Sequence, residues 1–223
     1  MLWFVFGTCL VLVYYISMSL WLQWNYYVRS NNVSSWKIQS NVTVSIGDSN
    51  PWVPLFGLKK RPAAPMQNLI CTINLLNAAL FGGVVAELIA RGKSRVYFEW
   101  DLDRVYFWSV GLLFPSLFQG MAEYYWHRLM HRAWFYRTFH KLHHYHKSPE
   151  PFDDMYTHPL EQFGYYFIFY SPAFLVPVHI SSLLLYLAIH GITGVLDHSG
   201  VDLQLPFYRV RDHGRIDCCR DRP

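Results

Sequence analysis

Eleven histidines occur in the 223 residues, and all of them lie between His127 and His213. Six fall within one short stretch, spaced as His127-Arg-Leu-Met-His131 and then His140-Lys-Leu-His143-His144-Tyr-His146. Imidazole is the commonest side-chain ligand for transition metals, and a metal site needs several ligands converging on one point. His127 and His131 are four apart, so on a helix they share one face. Glu123 lies one turn earlier on that face, where it could accept the free N–H of a ligating imidazole and fix its tautomer. A carboxylate there, at the end of an apolar run, is costly enough to imply a function. His140, His143 and His144 share a second helical face, while His146 points away from it and reads as an interfacial residue. Two such faces would bring five imidazoles to one pocket, and the chemistry they imply is that of a metal centre.

The elements that must position these residues are apolar. Hydrophobic residues make up 52% of the chain, aromatics 18% and charged residues only 15%, well under the roughly 25% usual for soluble domains. The length is enough for one domain, and the mean hydropathy of +0.10 describes polar material segregated from apolar runs. The formal charge of +4 comes from Lys and Arg beside those runs, which suits anionic headgroups, and no aromatic-basic stripe of the kind that grips nucleic acid is visible. The four cysteines, Cys9, Cys71, Cys218 and Cys219, form no disulfide framework.

Leu2 to Leu22 reads as a retained membrane anchor, with no Lys or Arg before it. Residues 1–28 are therefore an N-terminal anchor and 29–65 a polar, Pro-rich linker. Leu69 to Ala90 is a second span, interrupted by Asn74, Asn77 and Gly82-Gly83, and Val105 to Trp126 is a third, with aromatic residues at both ends. Two further apolar runs, Phe163 to Val178 and Ile180 to Leu196, are each near the lower length limit for a span. They form either a shallow helical hairpin or two tilted spans. Both arrangements return the chain to the side it left and bring His158 and His198 to the histidine face. The fold class expected is all-α: a multi-span helical membrane bundle with a cytosolic, histidine-rich metal-binding cap.

The basic residues set the orientation. Lys59, Lys60 and Arg61 precede the second span and Arg128, Arg132, Arg137, Lys141 and Lys147 follow the third, whereas the loop between them dilutes its Arg and Lys with Glu99, Asp101 and Asp103. Positive-inside counting puts the histidine face in the cytosol. Two sequons, Asn32-Val-Ser34 and Asn41-Val-Thr43, argue for a lumenal linker and are read as unused.

From about Phe118 to His213 the chain resembles the membrane-bound fatty acid hydroxylase and sterol desaturase superfamily. The resemblance rests on Glu-Tyr-Tyr-Trp-His-Arg-Leu-Met-His (123–131), Phe-His-Lys-Leu-His-His (139–144), Thr-His-Pro-Leu-Glu (157–161) and Asp-His-Ser-Gly (197–200), four elements in the family's order. It implies a domain over 66–213 holding two iron ions, oxygen as co-substrate, and electrons from NAD(P)H through cytochrome b5 or a similar donor. It also implies a lipid or sterol substrate that is hydroxylated or desaturated in the endoplasmic reticulum. The ligands carried over are His127, His131, His140, His143, His144, His158, His198 and His213, with Glu123 as the catalytic carboxylate. His158, before Pro159, has an alternative role as a structural histidine bonded to backbone. His179 and His190 match no family motif and read as core or pathway residues.

The resemblance fails after His213. Family members continue with two residues and a His-His pair, which here falls on Ile216 and Asp217, and residues 214–223 are composed unlike anything before them. They read as an aberrant tail from a shifted frame, an alternative exon or a misplaced gene end. Cys218 and Cys219 are poor substitutes, because thiolates suit zinc better than an oxygen-activating iron pair. A second function, a non-catalytic membrane protein that binds lipid or zinc, and a third, a purely structural membrane module without metal, follow from that loss.

Overall fold

The structure is a computed structural model, and it describes residues 1–30, 35–38, 65–99, 104–145 and 149–203. Helix α1 (Leu2–Leu22) has no charged residue and is apolar on every side, which suits a helix surrounded by lipid and neighbouring helices. Its 21 residues reach about 31 Å, close to the hydrocarbon thickness of a bilayer. A π-helical stretch, Gln23–Val28, prolongs it. Helix α2 (Pro65–Ala90) follows, then strand β1 (Val96–Tyr97), helices α3 (Arg104–Trp108) and α4 (Phe114–Met130), and the short α5 (Ala133–Thr138). Helices α6 (Pro159–Tyr170) and α7 (Pro172–Leu175), strand β2 (Val178–His179) and helix α8 (Ile180–Asp197) complete the described chain. Among the described residues, four helical stretches are long and apolar enough to cross a membrane: Leu2–Val28, Leu69–Ala90, Arg104–Met130 and Ile180–Asp197. The all-α membrane bundle is therefore as the sequence predicts; the strand structure among the described residues is a parallel two-residue pair, β1 with β2, and an isolated bridge between Lys37 and Val201.

Helices α1 and α2 run antiparallel, and small residues set how closely they approach. A Cβ on Gly7 would lie 2.7 Å from Ala86 Cβ and 2.9 Å from Gly82 O; one on Gly83 would strike Thr8 and the Phe4 carbonyl. The sequence presents Gly82-Gly83 as an interruption of the second span; in the fold it is the crossing point, since backbones separated only by hydrogens gain dispersion contacts that lipid cannot match. Asn74, the other apparent blemish, is fully buried, and its Nδ2 donates to the carbonyls of Met155 (2.9 Å) and Thr157 (2.8 Å). It ties α2 to the segment that caps one end of the bundle.

The third span is a single rod with a wide turn. Between α3 and α4 the winding becomes π-helical over Ser109–Leu113. Pro115 explains it: proline has no N–H to return to the preceding turn, and its ring crowds the carbonyl four residues back. Gly111 in that turn lies against Ser182 of α8, with Ser182 Oγ 2.7 Å from where a Cβ would sit.

The stretch 163–178 is not one helix. Pro172 and Pro177 divide it into α6, α7 and the extended β2. The 12 residues of α6 cover about 18 Å, too little to cross a bilayer alone. The whole limb nevertheless travels from the cap to the far end, where Arg95 N donates to Ala173 O and β2 pairs with β1. Helix α8 then returns the chain to the cap. The fold is neither the shallow helical hairpin nor the pair of tilted spans expected: it is a deep hairpin whose first limb is irregular and whose second is the span-length helix α8, and His158 and His198 both end at the cap.

The cap is bolted to the bundle by a core of Tyr15, Leu22, Cys71, Leu75, Phe152, Met155, Tyr156, Val195 and Leu196. Residues 35–38 join it: Ile38 N donates to Gly200 O and Asp202 N to Trp36 O. Gly200 adopts φ +69°, and a side chain there would meet Pro149 O at 2.5 Å, so only glycine lets the Asp-His-Ser-Gly segment turn.

Gly83→Leu should push α1 off α2, with the cost of overpacking, about 1–3 kcal/mol, read as a lowered unfolding temperature in detergent. Gly120→Leu, where an added Cβ meets nothing within 4 Å, should leave it unchanged. Equal unfolding temperatures for the two variants would contradict the packing described.

Candidate metal centre

Helix α4 ends at Met130, and Arg132 adopts an extended conformation (φ −68°, ψ 142°) that turns the chain into α5. His127 and His131 thus occupy the last turn of α4 and its cap, one above the other as their spacing requires, with Nε2 atoms 3.0 Å apart. The second histidine group differs from the expected α-helical face: His140–Tyr145 is a 3₁₀ helix. In that winding residues three apart eclipse, and the His140 and His143 rings stack at 5.5 Å with an interplanar angle of 27°. Consequently the group divides. His140 and His144 turn toward the α4 pair, with His140 Nε2 3.2 Å from His131 Nε2 and 2.9 Å from His144 Nε2. His143 instead faces His198, ring centroids 5.2 Å apart.

Four Nε2 atoms therefore meet at one point, with one ligand nitrogen from each of His127, His131, His140 and His144 lying within 4.8 Å of the others. Ligands at right angles with metal–nitrogen bonds of about 2.1 Å have their nitrogens about 3.0 Å apart. The 2.9, 3.0 and 3.2 Å separations match such edges. His140 is fully buried, whereas His131 and His144 are exposed, so the group is open on one side.

The carboxylate that orients the cluster is Glu161. Its Oε1 accepts from His140 Nδ1 at 2.6 Å, with the two side chains 1% and 0% exposed. An imidazole that donates through Nδ1 presents Nε2 as a lone pair when neutral. No Lys or Arg among the described residues pairs with Glu161, and its Oε2 has no hydrogen-bond partner. A buried carboxylate so placed needs positive charge nearby, and a cation behind His140 would supply it. The residues present fit a transition-metal ion.

Glu123 holds a different position from the one its spacing suggests: Oε1 accepts from Gln119 Nε2 at 2.9 Å. The partner of His127 Nδ1 is instead the hydroxyl of Tyr165, at 3.1 Å. His198 Nδ1 lies 3.1 Å from Asp154 Oδ1 and 3.0 Å from Gly194 O, which leaves Nε2 toward the His143 side. His158 caps α6, its Nδ1 accepting from Leu160 N at 3.2 Å, and it stands outside the four-histidine group. His146 and His213 fall outside the described residues, as do the sequons and the tail after His213. Glu161, Asp154 and Tyr165 were not singled out from sequence. Glu161 had a visible signal, as the last residue of the Thr-His-Pro-Leu-Glu element; Asp154 and Tyr165 had none.

The cluster also shapes its own titration. Burial, reinforced by the neighbouring His140, lowers the pKa of His131, and burial with His198 and His140 beside it lowers that of His143 well below the ordinary imidazole value. Both rings are thus kept as neutral lone-pair donors at neutral pH. Asp154 is pushed up by burial and by Asp197, while His198 pulls the other way.

Residues 112–216 match the model of the fatty acid hydroxylase family. Over this stretch, just under half of its length, the chain is similar to the fatty acid hydroxylase and sterol desaturase superfamily. The matched stretch holds most of the third span, both histidine groups, the α6–α8 hairpin and His198. Among curated relatives of this family, the chain is 28% identical to methylsterol monooxygenase 1 of Rattus norvegicus over 123 residues, 52% of the chain and 42% of that protein. It is 29% identical to fatty acid hydroxylase domain-containing protein 2 of Macaca fascicularis over 121 residues, 52% of the chain and 35% of that protein. The match thus spans less than half the length of either relative. No solved structure matches.

Glu161→Gln should weaken binding of a transition-metal ion by about 10- to 100-fold, as loss of a carboxylate behind a ligating imidazole does. Titration of the metal-free protein with Fe(II) checks this; unchanged affinity would remove Glu161 from the site.

Proposed function

We propose that this chain is an iron-dependent, oxygen-using membrane oxidoreductase that hydroxylates or desaturates a lipid or sterol in lipid biosynthesis. The observation that carries the reading is the convergence of four imidazole Nε2 atoms, backed by a buried carboxylate, at the end of an apolar bundle. Two iron ions are proposed. His127, His131, His140 and His144 would hold one. His143 and His198 would hold the other with ligands from further along the chain, where His213 belongs. His158 would join them only through Nε2, since Nδ1 caps α6. The irons when bound would supply reductive activation of oxygen, with electrons from NAD(P)H through cytochrome b5 or a similar donor.

The chain's own residues do the rest. Glu161 and Asp154 hold the His140 and His198 rings with Nδ1 turned away from the ligand point. Tyr165 fixes His127 in the same way. The apolar helices beneath exclude water from the carbon to be oxidised, and that protects a reactive oxidant from side reactions. Glu123, half-buried and held by Gln119, is the proposed carboxylate for proton movement on the substrate side. The basic residues Arg128, Arg132, Arg137 and Lys141, all exposed beside the cluster, support a cytosolic histidine face, in the endoplasmic reticulum membrane.

A second reading is favoured by the missing histidine pair at Ile216 and Asp217. With that pair absent one ion would be under-ligated, and the product would act as a lipid- or zinc-binding membrane protein. The two separate in one experiment: replacing Ile216→His together with Asp217→His, then measuring iron content and oxygen-dependent lipid oxidation. The double variant should gain iron and rate over the natural chain. Equal iron content and equal rates would show that the natural tail completes the site by itself.

A further inference from the structure

The surface beside the metal centre carries charge of one sign. From 124 to 149 the chain has no Asp or Glu, and the cap turns Glu150, Asp153 and Glu161 inward, all three buried. Arg128, Arg132, Arg137 and Lys141 are exposed, and among the described residues no ion pair reaches any of them. Arg128 donates instead to the Tyr124 hydroxyl at 3.2 Å, with its guanidinium over that ring. Trp134, in the same stretch, is 64% exposed. Uncompensated cations around an exposed indole suit a partner that is anionic and partly apolar.

The height of this face along the bundle decides which partner. On α4, Phe114, Leu117, Met121, Tyr124 and Arg128 recur at intervals of three and four, so they share one side of the helix, and every one is exposed. Apolar side chains come first, then a tyrosine, then an arginine, the order in which a bilayer passes from hydrocarbon to headgroups. Leu117 is the midpoint of the span Arg104–Met130. Arg128 lies eleven residues beyond it, about 16 Å, and half the hydrocarbon thickness is about 15 Å. The arginine thus stands at the level that lipid phosphates occupy.

Helix α5 connects that face to the cluster. Trp134 and Tyr136 are two residues apart, about 200° around a helix, and so take opposite sides. Trp134 faces out, with the exposed Arg137 one turn further along. Tyr136 faces in: its ring stacks on His131 at 5.8 Å with an interplanar angle of 24°, and lies 6.0 Å from the rings of both His140 and His144. Three of the four clustered imidazoles therefore pack against one side chain of a helix only six residues long. A helix that short is not stable alone, so whatever holds α5 in place also holds the wall against which those rings converge.

We propose that Arg128, Arg132, Arg137 and Lys141, around Trp134, bind the headgroups of anionic phospholipids, and that this contact holds Tyr136 against the histidine cluster, so that membrane charge raises the affinity of the cluster for metal. The coupling is reciprocal: metal in the cluster fixes α5 and tightens the lipid contact by the same factor. The inference rests on the four histidines being a metal site, and not on lipid oxidation.

Two measurements on the purified full chain test it. In native mass spectrometry, with phosphatidylserine and phosphatidylcholine of matched acyl chains titrated in detergent, the natural chain should prefer phosphatidylserine. Arg132→Gln together with Arg137→Gln should lose roughly fivefold of that preference for each arginine removed. The second is Fe(II) titration of metal-free protein in phosphatidylcholine nanodiscs with and without phosphatidylserine. Phosphatidylserine should tighten Fe(II) binding by a larger factor in the natural chain than in the double variant, where an anionic surface still gathers cations but no longer holds α5. Tyr136→Ala should keep the lipid preference and lose the extra gain. Equal retention of the two lipids by the natural chain, a preference undiminished in the double variant, the same gain in Fe(II) affinity for both chains, or an extra gain retained by Tyr136→Ala would each overturn the proposal. Binding of soluble polyglutamate by a chain without lipid preference would also overturn it and give the face to an acidic protein. A lipid preference in a chain that binds no Fe(II) would remove the metal centre and this coupling together, whereas coupling in a chain that never oxidises lipid would overturn the oxidase reading alone.

Discussion

The buried contact between His140 and Glu161 is the constraint on which the site depends. An imidazole with no exposure, 2.6 Å from a carboxylate with 1%, sets the tautomer of the ring at the centre of the cluster. His131 and His144 both approach its Nε2, so the orientation of one ring fixes where the others can converge. Glu161 in turn is positioned by α6, whose start is capped by His158 and begun by Pro159, the preferred residue for a first helical turn. The Thr-His-Pro-Leu-Glu element is thus a device for delivering one carboxylate to one imidazole 21 residues away.

The bundle serves that arrangement from below. Small residues at the α1–α2 crossing and at Gly111 and Gly164 bring helices close without large side chains; Trp126 lies over Gly164. Polar atoms are spent where the bundle meets the cap: Tyr15 and Ser19 reach the Pro151 carbonyl, Asn74 those of Met155 and Thr157, and Tyr27 that of Ser199 at 2.6 Å. In a membrane each of these would be costly alone. Together they hold the 149–157 and 198–202 segments in register with the helix ends, so that His198 meets His143.

Much of this was legible in the sequence. Spans appear because bilayer thickness demands long apolar runs, and the first histidine pair because helical periodicity fixes neighbours four apart. What was not legible depends on long-range packing. Glu123 stood where a local rule would put the supporting carboxylate, but Gln119 on the same helix satisfies it first, and the role falls to Glu161 from another element. The second histidine group was expected as one α-helical face; its tighter winding sends His140 and His144 one way and His143 the other. Pro172 and Pro177 break the first limb of the hairpin, and only the pairing of β2 with β1 reveals that this irregular limb still reaches the far end.

The central claim is that imidazoles from both histidine groups bind one transition-metal ion. X-ray absorption at the iron edge of the purified, iron-loaded protein tests it most directly. The account predicts a nitrogen shell near 2.1 Å (about the length of a metal–imidazole bond) with the outer-shell scattering of several imidazole rings, reduced in His140→Ala. A spectrum lacking imidazole scattering, or one unaltered by His140→Ala, would contradict it.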